Sequence, residues 1–362
     1  MPAAGPDDEV RYGVIGTGMM GVEHLQNLEH VPGARVTAVA DPWARSRAGA
    51  RAVLDGDVAV FDDHRALLAA DACDAVVIAS PNMTHVDVLL DVLAAGVHVL
   101  VEKPLGTTVE DCRRVVAAAA GHPGVVWVGL EYRYMPPVAR LVEEVAAGTV
   151  GRLRMLSIRE HRFPFLAKVG DWNRFNANTG GTLVEKCCHF FDLMNLVCGG
   201  RPIRVLASGG QDVNHLDEVY DGRPSDILDN AYVIVEYEGG TRALLDLCMF
   251  AEATTNMEEL VAVGDEGKVE AFLPSSELRI GRREEGWFAV RSETVVDDRV
   301  AYEGFHHGSS FLEHLDFIDA VRTGGPPVVS LEDGLLSVAV GVAAHRAIDQ
   351  RRPVDLAEVL EG

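Results

Sequence analysis

The segment Tyr12-Gly13-Val14-Ile15-Gly16-Thr17-Gly18-Met19-Met20-Gly21 constrains the fold of this chain more than any other. An apolar strand runs into Gly16-x-Gly18-x-x-Gly21, and a helix-like stretch from Val22 to Leu28 follows. The first glycine permits a tight turn, the second lets the backbone approach a pyrophosphate, and the third lets the helix pack closely on the strand. Free N–H groups at the helix N-terminus attract an anion. Alone, the glycine spacing is a weak signal. A second strand, Ala34 to Ala40, ends in Asp41, 20 residues after Gly21, and this context makes the signal strong. Gly16, Thr17, Gly18, Met19, Met20 and Gly21 are therefore expected to hold a dinucleotide, with Asp41 on a ribose 2′-OH. Asp41 before Pro42 also fits a helix N-cap. A carboxylate there repels a 2′-phosphate, which favours NAD; Arg45 and Arg47 could offset the repulsion, leaving NADP open.

A second run, Val97 to Val101, reads as a buried strand that delivers Glu102, Lys103 and Pro104 at its C-terminal end. In an open parallel sheet the ligand crevice lies just beyond the carboxyl ends of the strands, so Lys103 is placed to meet substrate.

Strands at Val10–Ile15, Val36–Ala40, Val58–Phe61, Ala75–Ala79, Val97–Val101 and Val125–Val128 alternate with helical stretches such as Val86–Ala95 and Val109–Ala120. That alternation implies right-handed βαβ crossovers and a parallel sheet. A helix near Pro137–Ala147 follows, then longer strand-like runs at 152–160, 203–209, 231–237, 242–250, 259–263 and 268–272, several alternating apolar and polar residues. Such alternation marks a largely antiparallel sheet with one wetter face, of the kind that commonly becomes a dimer interface. Two helices, 311–321 and 331–348, close the chain, and the last segment is expected to pack back on the sheet. At 362 residues two domains are expected, because single cores rarely grow past ~250–300 residues. The predicted fold class is α/β: an N-terminal Rossmann-type doubly wound parallel sheet over residues 1–133, and a C-terminal substrate-binding and oligomerisation α/β domain with an open, mostly antiparallel mixed sheet over 134–362, whose C-terminal helices could pack back on the first domain.

Residues 180–196 read as one buried helix entered through Gly180 and Gly181. Glu185, His189, Asp192 and Asn195 recur along it as a polar stripe on an apolar helix. Buried polar groups are paired or functional, so the stripe implies a crevice. His189 is suited to accept a hydroxyl proton near neutral pH, with the Glu185 carboxylate orienting it. Thr182-x-x-Glu185 also fits a capping box, which would give Glu185 a structural task. Asp192 is expected to bond backbone. Cys187 and Cys188 beside Glu185, His189 and the pair His306-His307 invite a metal reading, but neighbouring helical residues point about 100° apart, so no metal is expected. The loop Lys168 to Arg174 places Trp172 beside Lys168, Asn173 and Arg174, a set suited to a polyhydroxylated ring. Arg133, after the last parallel strand, and His307 complete the expected substrate contacts.

The formal net charge of −23 leaves no basic surplus for nucleic acid or an anionic membrane. No apolar run approaches the ~18 residues that span a bilayer. The acidic start of the sequence has no apolar core of an export signal, and the six cysteines show no CxxC spacing, so reduced thiols and a cytoplasmic location are expected.

Taken together, Gly16-x-Gly18-x-x-Gly21, Asp41-Pro42, Ser80-Pro81-Asn82-x-x-His85, Glu102-Lys103-Pro104, Tyr132-Arg133 and Gly180-Gly181…His189-x-x-Asp192-Leu193 resemble the Gfo/Idh/MocA oxidoreductases. The resemblance covers essentially the whole chain. It implies a homodimer or homotetramer that oxidises a secondary alcohol of a sugar, glycoside or cyclitol, such as an inositol, with NAD. It further implies that Lys103 and His189 are the catalytic pair, supported by the carboxylate at Glu185, and that Ser80, Pro81, Asn82, His85 and Glu102 join the cofactor site. The family usually carries Asp where Glu185 stands, and Lys186-Cys187-Cys188 is not its common filler. An NAD-dependent glycosidase or lyase using transient oxidation, and a non-catalytic NAD-binding regulator, are the alternative readings.

Overall fold

A computed structural model describes residues 9–362; the acidic start of the chain, read above as lacking an export signal, lies outside them. The chain divides into two compact units. The first comprises the chain up to Glu131 with Lys168–Trp172 and Arg299–Leu335; the second comprises Tyr132–Ala167, Asn173–Asp298 and Leu336–Gly362.

In the first unit, strands β1 (Val10–Ile15), β2 (Ala34–Ala40), β3 (Ala59–Phe61), β4 (Ala75–Ile78), β5 (His98–Glu102) and β6 (Val126–Gly129) alternate with helices. The helices are α1 (Met19–His30), α2 (Ala44–Val53), α3 (His64–Ala69), α4 (His85–Ala95) and α5 (Val109–Ala118). All strand pairs are parallel, in the order β3-β2-β1-β4-β5-β6. Every residue of β4 and β5 is buried, as required of strands covered on both faces. The strand order reverses between β1 and β4, and it is at such a switch point that the loops beyond the carboxyl ends part to admit a ligand. The Gly16 turn leaves β1 at that point.

The second unit begins with α6 (Pro136–Ala146) and β7 (Leu153–His161), then α7 (Asn176–Thr179), α8 (Thr182–Glu185) and α9 (Cys188–Cys198). Strands β8 (Pro202–Gly210), β9 (Val219–Tyr220), β10 (Arg223–Pro224), β11 (Asn230–Tyr237), β12 (Arg242–Cys248), β13 (Glu258–Gly264), β14 (Gly267–Leu273), β15 (Glu277–Arg282) and β16 (Arg291–Thr294) follow. Helix α10 (Ser309–Thr323) belongs to the first unit, the division passes through α11 (Leu331–Gln350), and β17 (Val354–Asp355) and α12 (Ala357–Leu360) complete the second. Nine strands form one sheet, in the order β16-β15-β14-β13-β7-β12-β11-β8-β17. Only the β7–β12 pair is parallel. In β11 the side chains Ala231, Val233, Val235 and Tyr237 are buried, while Tyr232 and Ile234 face outward. Helix α6 packs on β13–β15 and α9 on β7 and β12, so helices cover one face and leave the other wet. The final segment does pack on this sheet, β17 pairing with β8.

Two local readings are corrected. The single helix expected over 180–196 is two helices, α8 and α9, with Lys186 and Cys187 between them. The Cys187 N–H reaches back five residues to the Thr182 carbonyl, which widens the turn and interrupts the i, i+4 ladder. The capping box at Thr182 and Glu185 is absent. Gly181, at φ +88°, caps α8, and the Thr182 hydroxyl donates instead to the Leu228 carbonyl.

Candidate functional site

Each unit carries its own part of the expected chemistry. In the first, Gly16 takes φ +88°, and a Cβ there would fall 2.5 Å from the Ser80 N. The glycine turn thus abuts the backbone of the Ser80-Pro81-Asn82 turn after β4. A Cβ on Gly21 would meet the Gly16 carbonyl oxygen at 2.0 Å, whereas one on Gly18 would meet nothing within 4 Å. Gly18 caps α1 with no side-chain hydrogen bond, and no acidic residue stands in the helix's first turn. Its positive end is therefore uncompensated, and open space lies over the second glycine. Met19 and Met20 open the helix, Met19 largely exposed. The Asp41 carboxylate is buried at the end of β2, where its two oxygens accept the backbone N–H groups of Thr17 and Trp43, each at 2.8 Å. Each oxygen keeps a lone pair for a hydroxyl donor. Arg47 donates to the Asp41 and Pro42 carbonyls, and Arg45 is exposed.

His85 ties two of these loops together. It is buried, with Nδ1 on the Pro104 carbonyl at 2.8 Å and Nε2 on the Ser80 carbonyl at 2.9 Å, and burial lowers its pKa. It holds the turn after β4 against the Lys103-Pro104 turn after β5, whose peptide bond is cis. Glu102, buried at the end of β5, accepts the Lys103 N–H at 3.0 Å and the His24 Nε2–H at 2.9 Å. His24 Nδ1 lies 2.9 Å from His314 Nε2. Burial works against protonation of His24, but the Glu102 carboxylate outweighs it and raises the pKa. Burial and the His24 charge hold His314 well below the usual range, so His24 donates along the chain. Glu131, also buried, is pushed up to about 7 by burial and by the Glu102 charge. The Ser310 hydroxyl donates to it, and His306 Nδ1 lies 3.3 Å away. This network beneath Lys103 has no signature in the sequence: its members are far apart in the chain, and His24 sits on α1 among ordinary core positions. The same unit holds Lys168 and Trp172, both half-buried, and His307, at φ +55°, whose pKa is lowered by burial.

In the second unit, the His189 side chain is buried on α9 and its imidazole stacks on the Tyr132 ring. The ring centroids are 4.0 Å apart and the planes 10° from parallel. Asp192, expected to bond backbone, meets a guanidinium with its carboxylate. It accepts both arms of the Arg133 guanidinium, from Nε at 2.6 Å and Nη2 at 2.5 Å, and both side chains are buried. Arg133, expected as a substrate contact, is also the counter-ion of Asp192 on α9. Asn195 accepts the Tyr237 hydroxyl at 2.8 Å. Glu185 is buried at the end of α8, with its carbonyl 3.5 Å from the Cys188 Sγ. Asn173 is fully buried, donating to the Leu166 carbonyl, while Arg174 pairs with Glu218 at 3.0 Å and donates to the Phe165 carbonyl. Sequence reading passed over Lys186, which is buried between Glu160 and the Tyr132 hydroxyl. Lysine in a helical run reads as a solvated side chain, and only the packed sheet shows otherwise.

An open cradle at Gly18, an uncompensated helix terminus and a carboxylate at the end of β2 fit a dinucleotide. The fold and this site define a Rossmann-fold nicotinamide oxidoreductase with a second α/β domain. Comparison with known proteins agrees: residues 10–130 match the family model described as "Oxidoreductase family, NAD-binding Rossmann fold", and residues 142–356 match its "C-terminal alpha/beta domain". The chain belongs to the Gfo/Idh/MocA oxidoreductase family. It is 29% identical over 365 residues to the myo-inositol 2-dehydrogenase of Thermotoga maritima, spanning 97% of this chain and 100% of that protein. It is 43% identical over 150 residues to the inositol 2-dehydrogenase of Rubrobacter xylanophilus, spanning 41% of this chain and 42% of that one. A solved structure of levoglucosan dehydrogenase with NADH and L-sorbose shares the fold, with a TM-score of 0.86 at 20% identity over 98% of this chain and 100% of the other.

Proposed function

We propose that this chain is a dehydrogenase that transfers a hydride between NAD and a secondary alcohol of a cyclitol or sugar. The observation that carries the reading is end-to-end similarity, through both domains, to a myo-inositol 2-dehydrogenase. NAD, when bound at the glycine turn, supplies the hydride acceptor. His189 takes the proton of the substrate hydroxyl, and Glu185 supports it. Lys103 hydrogen-bonds the same oxygen and polarises the carbonyl when the reaction runs in reverse. Trp172 offers an indole face to the C–H side of the ring, with Lys168 and His307 as further substrate contacts. Asn173, Arg174 and Arg133 remain further substrate contacts in this reading, although each also donates to a protein partner: the Leu166 carbonyl, Glu218 and Asp192. Among the described residues no helix is long and apolar enough to cross a membrane. The six cysteines are thiols, as in a reducing compartment, and the location proposed is cytoplasmic.

The test is a panel of inositols, free sugars and glycosides with NAD and NADP, read by the absorbance of the reduced nicotinamide. Net reduction of NAD by a cyclitol or sugar is expected, with NADP weaker because of Asp41. Lys103→Ala and His189→Ala should each lower kcat by about 10²–10⁴-fold while NAD still binds. Release of an aglycone with no net NADH would replace this reading with the glycosidase or lyase alternative. No turnover across the panel by a protein that binds NAD would replace it with the regulator.

A further inference from the structure

We propose that Lys186 is a positioning residue for His189, acting through Tyr132, an inference that rests on His189 serving as the base. The ammonium is built into the second unit: Lys186 is 5% exposed, and its Nζ lies 2.9 Å from Glu160 Oε1, a carboxylate that is itself fully buried. It donates to the Tyr132 hydroxyl at 2.5 Å and stands 4.7 Å from the centroid of the same ring. That ring is the one stacked on the His189 imidazole. A buried charge is costly even when paired, so an apolar side chain would serve plain packing at this position better. Two effects of the ammonium reach His189. Bonding the hydroxyl pins the phenol, and the stacked imidazole inherits one ring orientation. The ammonium also withdraws electron density from the phenol and stands as a like charge at the hydroxyl of the stacked ring, and both effects disfavour the imidazolium. Lys186 thereby holds His189 in the proton-accepting form near neutral pH.

Further charged groups of the second unit lie on β7, β13, α8, α9, α6 and β12 and just past β7. Arg162, just past β7, lies 3.3 Å from Glu160 and shares that carboxylate with Lys186. Glu258 on β13 is pushed up to about 7 by burial and by the charge of Glu160. Glu185 ends α8, and Asp192 on α9 is neutralised by Arg133. On α6, Glu144 engages Arg140 and Thr149; on β12, Asp246 engages Arg159 and His161.

The experiment follows the His189 ring by NMR in isotope-labelled full-length protein saturated with NAD, alongside the pH dependence of kcat. Lys186→Met should raise the midpoint of the imidazole titration and move the acid limb of kcat to higher pH, by about one pH unit. Both losses act in that direction, because the like charge is gone and Glu160 loses a counter-ion. Tyr132→Phe removes only the hydroxyl and should shift both in the same direction by less; it carries the test if Lys186→Met does not fold. The shift should persist in a Glu258→Gln background. An unmoved midpoint in the folded variants, or a shift that vanishes with Glu258, overturns the proposal and leaves the role of His189 standing. Full turnover by His189→Ala overturns that role instead.

Discussion

At the scale of single residues, Gly18 and Gly21 do different work although both are legible in the sequence as one motif. Gly21 is a packing glycine: its missing Cβ leaves room for the Gly16 carbonyl oxygen, and helix α1 lies against β1 because of it. Gly18 has open space above it and an extended backbone at φ −70°, which alanine also adopts. Gly21→Ala should therefore destabilise the cofactor-free protein by about 1–3 kcal/mol, the usual cost of overpacking. Gly18→Ala should leave the melting temperature near wild type and weaken NAD binding by about tenfold, since a methyl then stands where the pyrophosphate backbone approaches. Thermal melts and nicotinamide fluorescence separate the two, and a Gly21→Ala protein as stable as wild type would contradict this division. Asp192 and Lys186 mark the limit of residue-level reading. Their polarity is written in the sequence, but that Asp192 meets a guanidinium and Lys186 meets a buried carboxylate is not.

At the scale of elements, the strands of the parallel sheet and the long antiparallel strands lie close to where apolar runs and alternation place them. Strands β15 and β16 do not announce themselves. β15 buries only Leu278 and Ile280 between charged neighbours, and β16 is exposed at every position. The break between α8 and α9 is likewise silent, because 180–196 has the apolar composition of one helix and the turn is widened by a backbone bond. On β13, Glu258 faces Glu160 across buried strands and has its pKa raised to about 7, chiefly by burial and then by that neighbouring charge. A carboxyl whose folded pKa lies above its unfolded value of 4.5 stabilises the fold below that value, and the benefit is lost as pH rises toward 7. Relative to wild type, Glu258→Gln should gain stability as pH rises from about 4.5 to 7, reaching roughly 2–3 kcal/mol, and hold a constant difference above that. Urea denaturation at a series of pH values measures it. A difference independent of pH would mean that Glu258 ionises normally.

At the scale of the whole molecule, the nine-stranded sheet presents a face without helices on which Tyr232 is 62% and Ile234 41% exposed. Ile234 stands in register with Leu244, Ser157 and Val261 on successive strands, a row of low polarity across a chain of net charge −23. We propose that this face takes a second copy of the chain, forming a homodimer. Tyr232→Glu combined with Ile234→Glu should convert the assembly to a folded monomer in light scattering, whereas an unchanged mass would move the interface elsewhere. The sequence by itself determined the two sheets, the glycine turn after β1, the position of Lys103 just past a strand's end and that of His189 on a buried helix. Those features rest on local rules: glycine stereochemistry, side-chain period, and the position of a residue at a strand's end. Only the tertiary structure decided that Glu102 is wired to His24 and His314, that Glu131 lies near them, and that Lys186 meets Glu160 and the Tyr132 hydroxyl. Those partners are distant in the chain, and what brings each pair together is the cost of leaving a buried charge alone, which no local pattern records.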